Sequence, residues 1–176
     1  SSVFFDADGD GDVDLYVVSG GSEFIAGAPL YQDRLYVNNG TGVFTKTLEA
    51  IPPETTSGSS VAAADYDKDG DIDLFIGGRH APANYGVTPR SFLLQNQSNE
   101  NGIKFSDVTN QVNTDLANAG MVTSAIWTDF NNDSWLDLII VGEWMPVRIF
   151  ENIDGKLIER KDFAGLGKSN GWWCTV

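Results

Sequence analysis

Five aspartates stand on alternate positions near the start of the chain, in DADGDGDVDLYVV: Asp6, Asp8, Asp10, Asp12 and Asp14, with an apolar run directly behind them. Carboxylates at this density serve one of three ends: a solvated face, an acid–base pair, or a cage for a hard cation. Such a cation takes about six to eight oxygens at about 2.3–2.6 Å, drawn from carboxylates, amides and backbone carbonyls. A curled loop of this length can present that set. The pattern recurs twice. Asp65, Asp67, Asp69, Asp71 and Asp73 repeat it in DYDKDGDIDLFIGG, and Asp129, Asn131, Asp133 and Asp137 repeat it in DFNNDSWLDLIIVG.

Counted from its first acid, each loop carries an oxygen-bearing side chain at its first, third, fifth and ninth positions. The seventh position is Asp12, Asp71 and then Trp135. Indole does not ligate calcium, so the backbone carbonyl is the expected ligand at Asp12, Asp71 and Trp135. The sixth position is Gly11, Gly70 and then Ser134; a sharp turn there favours a positive φ, which glycine adopts freely and serine does not. With neutral Asn131 in its third place, the last loop is expected to bind metal most weakly.

An EF-hand would need a bidentate Glu at its twelfth position and flanking helices. That position holds Val17, Ile76 and Ile140, each inside a β-type apolar run. Magnesium favours sites completed mostly by water. Zinc and copper favour His and Cys, and the chain has one of each. Calcium, up to three ions, is therefore expected, with merely solvated turns as the bland alternative.

The acidic loops begin at Asp6, Asp65 and Asp129, 59 and then 64 residues apart. A repeat of this period points to a solenoid or propeller. DRLYVNNGTGVF, RSFLLQNQSNENGIKF and VRIFENIDGKLI each read as a strand, an Asn/Gly-rich turn and a second strand, with Asn39, Asn96 and Asn152 ending the first strand. Each unit then has four antiparallel strands, which describes a propeller blade. The expected fold is all-β: a partial β-propeller of about three blades in one domain over 1–176. The blades fall at about 1–59, 60–120 and 121–170, with 171–176 starting a further one. EFIAGAPLYQ and RHAPANYGVTP read as surface loops, EWMP as a tighter connection, and residues 109–120 as a helical turn or a crossing to the next blade. Three blades do not close a circle, so the chain reads as a fragment, or as one that self-associates through open blade edges.

The 176 residues carry 25 acids against 11 Lys and Arg, a formal charge of −14, with 41% hydrophobic content. That charge argues against a nucleic-acid partner. No apolar run is long enough to span a membrane, and a single Cys174 leaves no intrachain disulfide. The first residues do not read as a signal peptide; they begin inside a repeat unit, so an export signal could lie upstream. The loops hold 13 of the 25 acids, and three bound Ca2+ would take −14 to −8. Without metal each cluster repels itself, so metal should stabilise the folded form.

On D6-A-D8-G-D10-G-D12-V-D14-L, D65-Y-D67-K-D69-G-D71-I-D73-L and D129-F-N131-N-D133-S-W135-L-D137-L, the chain resembles the FG-GAP or VCBS-type repeats of the integrin alpha-subunit propeller and of many secreted bacterial proteins. DRLYVNNGTGVF and VGEWMPVRIFEN extend the likeness toward the ASPIC/UnbV-associated group that includes cartilage acidic protein. The resemblance implies calcium loops in a seven-bladed propeller engaged in adhesion or in recognising proteins or glycans, at the cell surface or outside the cell, the bacterial outer membrane surface or periplasm included. Ser134 departs from the family's glycine.

Function is therefore expected to be non-enzymatic recognition of a protein or carbohydrate. The rim candidates are Tyr31, Arg34, Arg79, His80, Tyr85, Arg90, Glu143, Trp144 and Met145, because exposed aromatics and arginines make good anchors. A polysaccharide hydrolase or lyase acting across a propeller face is the competing class, since paired carboxylates can run glycoside hydrolysis. Acids around a cation are held ionised, whereas that chemistry needs one protonated acid. A structural spacer in a larger surface protein is the third class.

Overall fold

The computed structural model describes residues 1–47 and 49–176. It contains three separate antiparallel sheets, each built in chain order. The first holds β1 (Ser2–Phe5), β2 (Asp14–Val17), β3 (Arg34–Asn38) and β4 (Phe44–Thr47). The second holds β5 (Ser57–Ala64), β6 (Asp73–His80), β7 (Phe92–Asn96) and β8 (Phe105–Asp107). The third holds β9 (Met121–Thr128), β10 (Asp137–Met145), β11 (Arg148–Ile153) and β12 (Lys156–Glu159). This is an open, propeller-like all-β fold of three blades.

Between the second and third blades the chain forms a single helical turn, α1 (Thr109–Val112), and a 3-10 turn at Leu116–Asn118. The apolar tail adds β13 (Gly171–Trp172), which pairs with β10 opposite Glu143 and Met145.

The strand alternation shows why the sheets stack face to face. Successive side chains of a strand point to opposite faces, and in the second blade both faces are covered. Leu74, Ile76, Phe92 and Leu94 join Phe5, Tyr16, Val18 and Leu35 in one core. Phe75 and Leu93, one register away, join Leu138, Ile140, Phe150 and Leu157 in another. The cores therefore lie between blades, and a one-residue slip in β6 would exchange the two sets. Burying each such side chain contributes about 1.5–3 kcal/mol. The far faces of the first and third blades leave Phe4, Phe44, Ile126 and Ile158 exposed.

Close approach sets the inner strands. A Cβ on Gly77 would lie 2.4 Å from Val122 of the third blade, and one on Gly58 would lie 2.5 Å from Val18 of the first. All three acidic loops join the first strand of a blade to its second, so they share one rim. The β2–β3, β6–β7 and β10–β11 connections form the opposite rim.

Candidate functional site

The three loops share one hydrogen-bond plan. At the first position, Asp6 Oδ2 accepts from the Gly11 amide at 2.9 Å, Asp65 Oδ2 from Gly70 at 3.1 Å, and Asp129 Oδ2 from Ser134 at 2.9 Å. The fifth-position carboxylates of Asp10, Asp69 and Asp133 accept from the amides of Asp12, Asp71 and Trp135 at 2.8, 3.0 and 2.8 Å. These bonds curl each loop and aim its acids inward. The sixth position lies in the left-handed region in every copy: Gly11 at φ 91°, Gly70 at 98° and Ser134 at 72°. The fourth position does too, at Gly9, Lys68 and Asn132, a requirement that the Asp spacing does not reveal.

The ninth-position acid is the most deeply held. Asp14, Asp73 and Asp137 are all buried. Each takes one bond from the loop, at Ala7, Tyr66 and Phe130, and one from the following hairpin, at Asn38, Asn96 and Asn152. Equivalence thus falls on Asn38 rather than on Asn39, which instead caps the β3–β4 turn by accepting from Thr41. Two of these asparagines also join blades. Asn96 Nδ2 donates to Ala7 O at 3.1 Å, and Asn152 Nδ2 donates to Tyr66 O at 2.7 Å.

In the first two loops the acids converge. Asp6, Asp8 and Asp14 bring carboxylate oxygens within 4.8 Å of one another, and Asp65, Asp67 and Asp73 do the same. Both triads can chelate a cation. Asp65 Oδ1 is shielded from solvent and has no hydrogen-bond partner, as expected of an oxygen reserved for a metal. The donor set is all oxygen and suits a hard dication. Burial pushes the Asp73 carboxyl up to about 8, with the charges of Asp67 and Asp69 adding to it. Asp8 and Asp67 are raised for the same reasons, burial first. A bound cation would remove that penalty.

Asp10, Asp12, Asp69 and Asp71 lie on the same loops outside the two triads. In the third loop, Asp129, Asp133 and Asp137 form no such triad among the described residues. Asn131 donates to Asp133 Oδ2 at 2.8 Å and to Glu151, so a neutral amide hydrogen-bonds its acidic neighbours where the other loops place a further carboxylate. Trp135 lies under Lys68 of the second loop, whose Nζ is 3.9 Å from the ring centroid. That cation–π contact accounts for an indole at this place.

The rim candidates divide. Tyr31 and Met145 are buried packing residues, and the Tyr31 hydroxyl bonds the Phe24 backbone. Arg34 bonds Ser19, and Arg90 pairs with Asp107 at 2.8 Å. The others meet in a cleft between the second and third blades. Arg79 pairs with buried Glu143, Tyr85 donates to Glu143 Oε2 at 2.9 Å, and Trp144 Nε1 donates to the Tyr85 oxygen at 3.1 Å. His80 lines this cleft beside Trp172. Arg79 and Glu143 occupy the same place in successive repeats, 64 residues apart like their loops, and the laying of one blade on the next brings them together.

Sequence patterning missed one further pair. Asp33 and Glu54 are buried beside Tyr16, where Asp33 accepts from the Tyr16 hydroxyl at 2.9 Å and the Ser19 amide at 2.6 Å. Burial pushes both carboxyls up, and for Glu54 the charge of Asp33 adds to the effect. Both Asp33 oxygens are occupied by protein bonds, and Glu54 Oε2 accepts from the Thr56 amide at 3.1 Å while its Oε1 has no hydrogen-bond partner.

No helix among the described residues is long and apolar enough to cross a membrane. No curated protein matches the chain. Residues 3–76, from β1 through the second acidic loop into β6, match the FG-GAP-like repeat family.

Proposed function

We propose that the chain is a calcium-stabilised piece of β-propeller that is not an enzyme and that recognises a protein or glycan at the cell surface or outside the cell. One observation carries the reading: loops 59 residues apart each gather their first, third and ninth acids within 4.8 Å. Calcium is held by those acids, by Asp10 and Asp69, and by the backbone carbonyls of Asp12 and Asp71. A third, weaker site forms at Asp129, Asn131, Asp133, Asp137 and the Trp135 carbonyl. The loops fix one rim of the blades, and the opposite rim, with longer connections in the first two blades, is left to meet a ligand. Open blade edges supply a route to self-association.

Calorimetric titration of chelated protein with Ca2+ tests this. Two tighter sites and one weaker site are expected, with a rise in melting temperature. Absence of both binding and stabilisation would overturn the reading, and a third loop that fills first would overturn the ranking of sites.

A further inference from the structure

We propose that the cleft between the second and third blades binds a neutral oligosaccharide of gluco-configured pyranose rings, stacked on Trp144 and Trp172. The proposal rests on the reading of the chain as a recognition scaffold and names the ligand of its rim.

Three large rings meet water at one place: Trp144 is 67% exposed, Trp172 59% and Tyr85 65%. The two indoles lie 5.6 Å apart between centroids and are tilted by 51°. Trp144 is further held by its bond to Tyr85. A pair of rings in contact makes a stepped wall, not a box, so it does not enclose a quaternary ammonium as an aromatic cage does. Pyranoses with equatorial hydroxyls present flat C–H faces, which such a wall accepts. The step between the indoles is comparable to the step between successive sugar rings.

The backbone holds this wall outward. Trp144 has φ 58°, a left-handed conformation that is costly for a bulky residue and that tends to persist where a site requires it. It follows an irregularity in the β9–β10 register at Val141 and Gly142. The apolar ring is thus displayed, while its neighbours Glu143 and Met145 turn inward.

The floor is polar. Glu143 has 3% of its side chain exposed and accepts from Arg79 and Tyr85, so the donor left for a sugar hydroxyl is on Arg79, whose Nη1 has no hydrogen-bond partner. The pair is neutral as a unit, and the chain carries −14 overall, so a polyanionic glycan would be repelled. The cleft has two lobes of about 540 and 620 Å3 that share Tyr85, Met121 and Glu143, each within the range of small-ligand sites. An apolar peptide anchor would leave Arg79 Nη1 without a partner.

The test is titration of the calcium-loaded protein with cello-, xylo-, laminari- and chito-oligosaccharides, read by tryptophan fluorescence and calorimetry. At least one should bind. Trp144→Ala should weaken it about tenfold or more, with the melting temperature in Ca2+ unchanged because the side chain is largely exposed, and Tyr85→Phe, which also takes a donor from buried Glu143, several-fold. The proposal is overturned if none of the four binds, if Trp144→Ala binds as tightly as the parent, or if only a polypeptide competes for the cleft. Calcium-dependent stabilisation is read separately. Its survival with no sugar bound sinks this inference alone, and its absence sinks the scaffold reading.

Discussion

Ser134 holds φ 72° where the first two loops place glycine, and a side chain in that region costs about 1 kcal/mol. A Cβ at the matching Gly11 or Gly70 would meet nothing within 4 Å, so the cost at Ser134 comes from backbone conformation alone. Ser134→Gly is therefore expected to raise stability by about 1 kcal/mol, measured from the urea midpoint in Ca2+. Glu54 poses the opposite problem. Burial and the Asp33 charge push it up to about 8, so the folded chain keeps a proton that the unfolded chain releases near the usual carboxylate value. Stability from this group is complete below about pH 4.5 and is lost as pH rises toward 8, by up to about 1.4 kcal/mol per pH unit. Glu54→Gln removes that proton from the balance. Its stability should change less steeply between pH 5 and 8 than the parent's, and parallel curves would show that Glu54 does not titrate there.

At the scale of strands and hairpins, the asparagines tie successive blades. Asn152 donates to Tyr66 O in the preceding blade and to Leu136 O in its own, whereas Asn38 reaches only Val13 O of its own blade. Asn152→Ala leaves the buried Tyr66 carbonyl and the half-buried Leu136 carbonyl without this donor and is expected to cost about 1–3 kcal/mol. Asn38→Ala, half-exposed, should cost clearly less; equal losses by chemical denaturation would remove the cross-blade role. The same residues mark how far sequence patterning reaches. The acidic repeat located the loops and each second strand, because aspartate spacing and apolar alternation are local. It did not separate Asn38 from Asn39, since two adjacent asparagines before a turn differ only in which amide faces Asp14. The left-handed fourth position was hidden because it is filled by Gly9, Lys68 and Asn132, three unrelated types. Arg79 and Glu143 were visible singly, but their pairing depends on how one blade is laid on the next. Asp33 and Glu54 left no local mark, because their burial is set by the linkers around Tyr16.

Over the whole molecule, charge and metal act against each other, and pH decides the balance. More than half of the acids sit in the loops on one rim, in a chain of formal charge −14. In the metal-free fold Asp73 is pushed up to about 8 by burial and by its acidic neighbours, well above an unfolded aspartate near 3.8. Its folded form therefore holds a proton across the neutral range, and metal-free stability falls as pH rises from about 4 to about 8. A cation must displace that proton, so affinity at the second loop should rise up to about tenfold per pH unit for each proton released. Glu54 lies just before Ser57, which pairs with His80, and His80 ends β6 roughly 23 Å from Asp73 at about 3.3 Å per residue, so the titration of Glu54 is expected to contribute about equally with and without metal at the second loop. The difference between calcium-loaded and chelated melting temperatures thus isolates the loops. It should be small at pH 5 and widen steadily toward pH 8, and Asp73→Asn should hold it small and nearly constant. A gap that narrows with rising pH would mean that the loops bind calcium without displacing protons, which would remove buried Asp73 as the acid that couples metal to fold.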